Sequence, residues 1–398
     1  MFPGQQYHQS QHNYQRPSGA PSPSNYQYQR PSAPPPSQQY NQQQYRNDGY
    51  SRPNAPPPSS YQISNQNQGQ QSQYQRPIGP PPTQIQSFGP SGQMNFQYSQ
   101  CTGQRKALLI GINYIGTSSQ LRGCINDANA MKAFLIDRFG YKEEDIVLLS
   151  DDQSQMVKVP TRANIIRACQ WLVSEAKPND SLVFHYSGHG GLEKNLTGEE
   201  ESGYDSCIYP VDYQIAGSII DDILHDLLVR PLPQGARLTA FFDSCHCGTA
   251  LDLPYVYSTK GIIKEPNLLK DVGMNGLNAV MDYATGNVTG MFSSISSVVS
   301  RVSNGNYNRN QAIAKNFSPA DVIMISGSKD SQTSADSTSN GLSTGAMSYS
   351  FISVLCSNNV QSYISLLNNM RNVMAGKYSQ KPQLSSSHPI DVNLQFIM

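Results

Sequence analysis

Residues 243–249 read Asp-Ser-Cys-His-Cys-Gly-Thr, and three in succession, Cys245, His246 and Cys247, can bind metal or do nucleophilic work. Such a run serves as a metal clip, a redox pair or one half of a cysteine hydrolase, and what else reaches the sulfur decides among them. A second run, Tyr186-Ser-Gly-His-Gly-Gly, sets His189 among glycines that allow close backbone approach to a substrate. A histidine beside a cysteine favours the thiolate and can later protonate a leaving amine. The amides of Gly190 and Cys245 could then donate to the oxyanion of a tetrahedral intermediate. A zinc clip needs two further ligands, and the other Cys and His residues offer no second pair at workable spacing. Cys247 as a helper nucleophile is a weaker alternative. His185 and His246 suit structural roles better than catalytic ones, His185 because it lies within a strand.

The elements that must position these residues follow from the apolar pattern. Strands are expected from Lys106 to Asn113, Asp145–Leu149, Ser181–Tyr186, Arg237–Phe242 and Asp321–Ile325. Helices are expected over Asp127–Phe139, from a cap at Thr161 through Ala176, over Asp221–Val229, around Gly345–Cys356 and over Val360–Ala375. This alternation predicts an α/β fold, a mostly parallel sheet with helices on both faces. Ligands of such sheets bind beyond the carboxyl ends of the strands. The strand SLVFHY runs out into His189 and the strand RLTAFF into Cys245, so neighbouring strands would bring imidazole and thiol to one edge.

Before these elements the texture differs. Residues 1–99 are rich in Gln, Pro, Tyr, Ser and Asn, hold no Lys or Glu, and repeat a short unit at Tyr14, Tyr28, Tyr50 and Tyr74. Such a segment has too little apolar area to offset the entropy of ordering, so a disordered tail is expected. Its composition is prion-like, suited to self-association or to capture by aggregates, with a plain solvated tail as the alternative. Within residues 1–100 five arginines face Asp48 alone, a net +4, which leaves −4 for the rest of a chain whose formal charge is zero. That asymmetry marks two kinds of polymer and no nucleic-acid-binding surface. No apolar run approaches the roughly 20 residues of a membrane span. The start lacks a signal-peptide pattern and the seven cysteines lack a disulfide framework, so a cytoplasmic or nuclear location is expected.

The two chemical runs together resemble the caspase-like hydrolases, specifically the fungal type I metacaspases. Cys245 follows His189 by 56 residues, close to the roughly 50-residue spacing of caspases. The likeness runs from about residue 104 to the C-terminus and includes Gly123-Cys-Ile-Asn-Asp-Ala, the run from Gly327 to Asp336, and Gly345-Ala-Met-Ser-Tyr. It departs at Cys247, where similar sequences commonly carry Ser. The resemblance implies a prodomain over 1–99 and a peptidase domain over 100–398. Within the latter it implies a large-subunit part over about 100–300, a processing segment over about 254–318 and a small-subunit part over about 319–398. It implies a self-processing zymogen linked to stress response or programmed cell death, acting on proteins with exposed Arg or Lys.

The resemblance also assigns Cys124, Asp127, Ser187 and Asp243 to the pocket for the side chain before the cut bond. Caspases read Asp there with arginines; two carboxylates favour Lys or Arg instead. The lesser alternative for Asp127 is a helix N-terminal carboxylate; for Asp243 it is a strand-end acceptor, a role that can coexist with the pocket one. Asp205, Asp221, Asp222 and Asp252 match the calcium-site aspartates of metacaspases; read from spacing alone, Asp221 and Asp222 are a helix cap and first turn. Calcium would activate the fold around the cleft without serving as the reaction's Lewis acid. Arg301, Arg309 and Lys315 are the candidates for processing, in a long polar interval typical of functional or mobile connections. Two rivals stand beside a calcium-activated endopeptidase: an aggregate-directed quality-control factor with proteolysis secondary, and a paracaspase, which the aspartate pattern disfavours.

Overall fold

Near-continuous apolar runs bury both faces of the central strands in the computed structural model, which describes residues 76–88, 94–195, 204–245, 247–257, 261, 315–327, 336–339, 342–378 and 381–398. The expected strands become β3 (Arg105–Gly111), β4 (Ile146–Ser150), β5 (Ser181–Ser187), β9 (Arg237–Asp243) and β11 (Asp321–Ser326). Two short hairpin-like pieces precede or interrupt them: β1 (Gln86–Phe88) with β2 (Met94–Phe96), and β6 (Gly190–Lys194), β7 (Tyr204–Ile208) and β8 (Ile219–Ile220) in a small antiparallel sheet. With β10 (Tyr255–Tyr257) and β14 (Gln383–Ser386), the central sheet runs β10-β14-β11-β9-β5-β3-β4. Its core pairs are parallel, while β14 and β10 close one edge antiparallel. A further antiparallel pair is β12 (Asp336–Ser339) with β13 (Leu342–Gly345).

Helices cover both faces, as the alternation predicts. On one side α1 (Cys124–Phe139), α5 (Ala346–Ser357) and α6 (Tyr363–Met374) pack Met131, Phe351 and Leu367 against Leu109, Val183, Phe241 and Ile323. On the other, α2 (Arg162–Val173) and α4 (Asp221–Leu228) pack Ile165, Leu172 and Leu224 against Leu108, Phe184, Ala240 and Phe242. Thr161 caps α2 by accepting from the Asn164 amide at 3.3 Å, and a single turn, α3 (Tyr213–Ala216), precedes β8. Because side chains alternate along a strand, His185, Ser187 and Asp243 fall on the α1/α5 side with Val183 and Phe241.

The segment expected to be a tail is ordered at its end. Phe96 and Tyr98 are buried, Phe96 stacks on His388 at 3.7 Å, and the Ser99 amide donates to Asp321 Oδ2 at 2.8 Å. Sparse aromatics suffice here because the C-terminal residues supply the opposing surface. The boundary expected at 99/100 is thereby corrected for residues 76–88 and 94–99; the repeats at Tyr14, Tyr28, Tyr50 and Tyr74 lie outside the described residues. No helix among the described residues is long and apolar enough to cross a membrane.

Candidate active site

β5 and β9 pair in parallel with Ser187 opposite Asp243, and His189 and Cys245 each lie two residues past that matched pair. Equal steps off adjacent strands carry imidazole and thiol to the same edge of the sheet. Gly190 confirms the proximity: a Cβ there would stand 2.2 Å from the Cys245 carbonyl oxygen and 3.1 Å from Ser244 Oγ. Only glycine fits. Gly190 also opens β6, pairing with Ile208, so the turn at His189 is held between the main sheet and the small one.

The His189 ring is oriented. Its Nε2 lies 2.7 Å from the Ser119 carbonyl oxygen. A carbonyl can only accept, so Nε2 carries the proton and Nδ1 of the neutral ring is left with a lone pair, the state a base requires. Cys245 is partly exposed, whereas Cys101, Cys124, Cys169, Cys207 and Cys247 are buried, and Cys356 is exposed on α5. Cys247 turns inward, its Sγ 2.9 Å from the Ser244 carbonyl oxygen. His185 is buried with Nε2 2.9 Å from Ser348 Oγ, and burial pushes its pKa down to about 3, so it is neutral and internal. His246 lies outside the described residues.

The four pocket candidates converge. Asp127, in the first turn of α1, accepts from Ser187 Oγ at 2.7 Å and from the Gly345 amide at 2.8 Å. Asp243, ending β9, accepts from the Ser348 amide at 2.9 Å, which places it at the N-terminal turn of α5, where a carboxylate is favoured. Cys124 begins α1, its amide donating to Asn113 Oδ1 at 3.0 Å. Thus Asn113, from the loop after β3, receives a leading amide of a helix whose N-cap position is Gly123. Asp127 and Asp243 are only 2% and 3% exposed, so they are buried carboxylates and not a surface patch.

Gly345 joins them. A Cβ there would lie 2.2 Å from Asp243 Oδ2 and 2.7 Å from Asp127 Oδ2. The sequence carried Gly345 only inside a family motif, with no role. Its contact with two carboxylates from α1 and β9 depends on long-range register.

Among the described residues, Asp205, Asp221 and Asp222 bring carboxylate oxygens within 4.8 Å of one another. Asp252, expected as a fourth member, stands outside this group. It ends a turn in left-handed conformation (φ 48°), its amide donating to the Thr249 carbonyl at 2.7 Å. Asp221 accepts from the amides of Ser206 at 2.7 Å and Asp222 at 3.0 Å, so it is preset by backbone. Ile220, not an aspartate, occupies the N-cap position of α4. An all-oxygen donor set of three carboxylates suits a hard cation such as calcium. Lys315 reaches the group, its Nζ 3.5 Å from Asp222 Oδ1. The loop after Cys245 is fastened to both acidic elements: Thr249 Oγ1 is 2.8 Å from Ser206 Oγ of β7, and His225 Nδ1 of α4 is 2.9 Å from the Leu251 carbonyl. Arg301 and Arg309 lie outside the described residues.

The family profile described as "Metacaspase, peptidase C14 domain" matches residues 105–254. Three similar proteins each carry the name Metacaspase-1. That of Debaryomyces hansenii is 62% identical over 314 residues, 79% of this chain and 71% of its own. That of Scheffersomyces stipitis is 61% identical over 314 residues, 79% of this chain and 78% of its own. That of Candida glabrata is 64% identical over 304 residues, 76% of this chain and 78% of its own.

Proposed function

Because this chain belongs to the metacaspases and is a cysteine peptidase, we propose that it is a calcium-activated endopeptidase that cuts after Arg or Lys with His189 and Cys245. The observation carrying this reading is the register of β5 and β9, Ser187 opposite Asp243, with one reactive side chain two residues beyond each. In the reaction His189 Nδ1 takes the proton from Cys245 Sγ, and the thiolate forms a bond to the carbonyl carbon of the scissile peptide. The amides of Gly190 and Cys245 hold the resulting oxyanion. Collapse breaks the C–N bond, the imidazolium returns its proton to the departing amine, and water then cleaves the thioester with His189 as base.

Two carboxylates at the pocket floor support the basic preference. Amide and hydroxyl donors hold Asp127 and Asp243 in place, and a pair of carboxylates favours a guanidinium or ammonium and repels Asp. Calcium would be held by Asp205, Asp221 and Asp222, where it supplies positive charge among mutually repelling carboxylates. The fastened loop after Cys245 links that site to the nucleophile. A zymogen follows naturally if calcium both orders this loop and admits the chain's own Arg301, Arg309 or Lys315 to the cleft, in stress response or programmed cell death. The test is a peptide library assayed with calcium and with excess chelator. Cleavage after Arg or Lys, dependent on calcium, is the expected result; preferred cleavage after Asp, or equal rates in chelator, would overturn it.

A further inference from the structure

His189 is gripped at more points than its ring contact with Ser119, and Tyr114 supplies two of them. Tyr114 lies in the loop after β3, with φ at 51°, a left-handed value that a bulky residue adopts only when its surroundings require it. Its side chain is buried against the turn. The His189 amide donates to Tyr114 Oη at 3.0 Å, and Tyr114 Oη in turn donates to the Tyr209 carbonyl at 2.6 Å. The phenol ring also packs on the imidazole, with centroids 4.6 Å apart and planes inclined by 37°. A second phenol completes the grip, Tyr186 Oη donating to the His189 carbonyl at 2.7 Å. Each hydroxyl has one proton and each is committed: Tyr114 to Tyr209, Tyr186 to His189. Burial raises both phenols above their ordinary pKa, so neither proton is lost near neutrality. Gly188 makes room for the pair, since a Cβ there would stand 2.7 Å from Tyr186 Oη and 3.2 Å from Tyr114 Oη.

We propose that Tyr114 is a positioning residue for His189, fixing its backbone with the hydroxyl and its ring plane with the phenol face so that Nδ1 is aimed at the Cys245 thiol. The inference rests on reading His189 as the base. Tyr114 and Ser119 belong to one loop, so the same segment sets the ring's plane and holds its far nitrogen. Thr117 closes that loop on Tyr114, its amide and hydroxyl donating to the Tyr114 carbonyl at 3.1 and 2.8 Å. A misplaced base costs turnover more than binding, because substrate is held by the pocket of Asp127 and Asp243 and not by the imidazole.

Full-length wild type, Tyr114→Phe, Tyr114→Leu and His189→Ala would be compared in steady-state cleavage of an Arg peptide. In parallel, iodoacetamide labelling followed by mass spectrometry gives the alkylation rate of Cys245, with exposed Cys356 as internal reference. Tyr114→Leu should lower kcat by about a hundredfold with KM within about twofold, and slow Cys245 labelling relative to Cys356. Tyr114→Phe, which keeps the ring, should recover part of both, to within about tenfold of wild type. A merely loosened fold would instead raise KM and expose Cys124 and Cys247 to label. Wild-type kcat and Cys245 labelling in Tyr114→Leu, with His189→Ala inactive, would refute the positioning role alone. If Tyr114→Leu fails to fold, wild-type behaviour of Tyr114→Phe in both assays refutes it equally. Full activity of His189→Ala would remove the dyad itself, and the positioning role with it.

Discussion

Cys245 and Cys247 are two residues apart in sequence and different in circumstance. The first is partly exposed beside the Gly190 turn; the second is buried with its thiol directed at the Ser244 carbonyl. Cys245→Ala and His189→Ala should each reduce peptide cleavage by about 10³-fold or more without changing the far-ultraviolet circular dichroism. Cys247→Ser should retain most activity, since a hydroxyl can make the same donation. Substantial turnover by Cys245→Ala protein would exclude it as nucleophile. At the pocket floor, Asp243→Asn removes charge but retains an acceptor for the Ser348 amide. It should therefore weaken kcat/KM for Arg peptides by about 10- to 100-fold, the loss of one charge-assisted hydrogen bond of roughly 1.5–3 kcal/mol. An unchanged ratio of Arg to neutral peptides would assign Asp243 to capping α5 and nothing more.

Between α4 and the chain just before β11, one contact joins two of the proposed functions. Lys315, a processing candidate, places its ammonium 3.5 Å from Asp222, so it already supplies a positive charge to the group proposed for calcium. On the function proposed above, calcium bound there would compete with Lys315 for Asp222 and would free that lysine for cleavage. In a Cys245→Ala background, which cannot split itself, Lys315→Ala should tighten calcium binding by up to about fivefold in calorimetry, the scale of an exposed ion pair. Asp222→Ala should weaken it and blunt splitting of the otherwise native chain. Equal calcium affinity with and without Lys315 would show that the contact has no part in activation.

Across the described residues, a buried ion pair ties Ser99 and Ile397 to two central strands of the sheet. Arg237 and Asp321 sit opposite one another on β9 and β11, both fully buried, with Nη2 2.7 Å from Oδ2. Arg237 also donates to the Ile397 carbonyl at 3.0 Å and Tyr363 Oη at 2.7 Å, while Asp321 receives the Ser99 amide. Burial raises the Asp321 pKa, but Arg237 and the hydrogen bonds outweigh it and bring the value down to about 2. A depressed carboxylate stabilises the fold fully above its unfolded pKa of about 3.9 and loses that contribution as pH falls toward the folded value. The urea midpoint should thus drop between about pH 4 and pH 2, and Asp321→Asn should flatten that dependence while costing roughly 3–5 kcal/mol at neutral pH. Replacing both partners by Met and Leu should cost less than either single change, because no buried charge is then stranded.

The sequence by itself determined the α/β class, the strands that run out toward His189 and Cys245, and the cysteine peptidase chemistry, because short apolar runs and short catalytic motifs are local signals. Element boundaries shifted by only a few residues. What it could not determine depends on register and on distant segments folding back. The Ser187–Asp243 pairing sets the segments bearing His189 and Cys245 side by side, and Gly345 reaches two carboxylates from elements more than a hundred residues away. Asp252 takes a left-handed backbone conformation that charge spacing does not encode, and lies outside the group of Asp205, Asp221 and Asp222 whose oxygens stand within 4.8 Å of one another. Nothing in the sequence alone singled out Tyr114. Its grip on His189 exists because β3 and β5 are neighbours in the sheet, which lays the loop after one across the turn after the other. Residues 94–99 looked like tail by composition, and became core only because the C-terminal residues and Asp321 meet them in the folded chain.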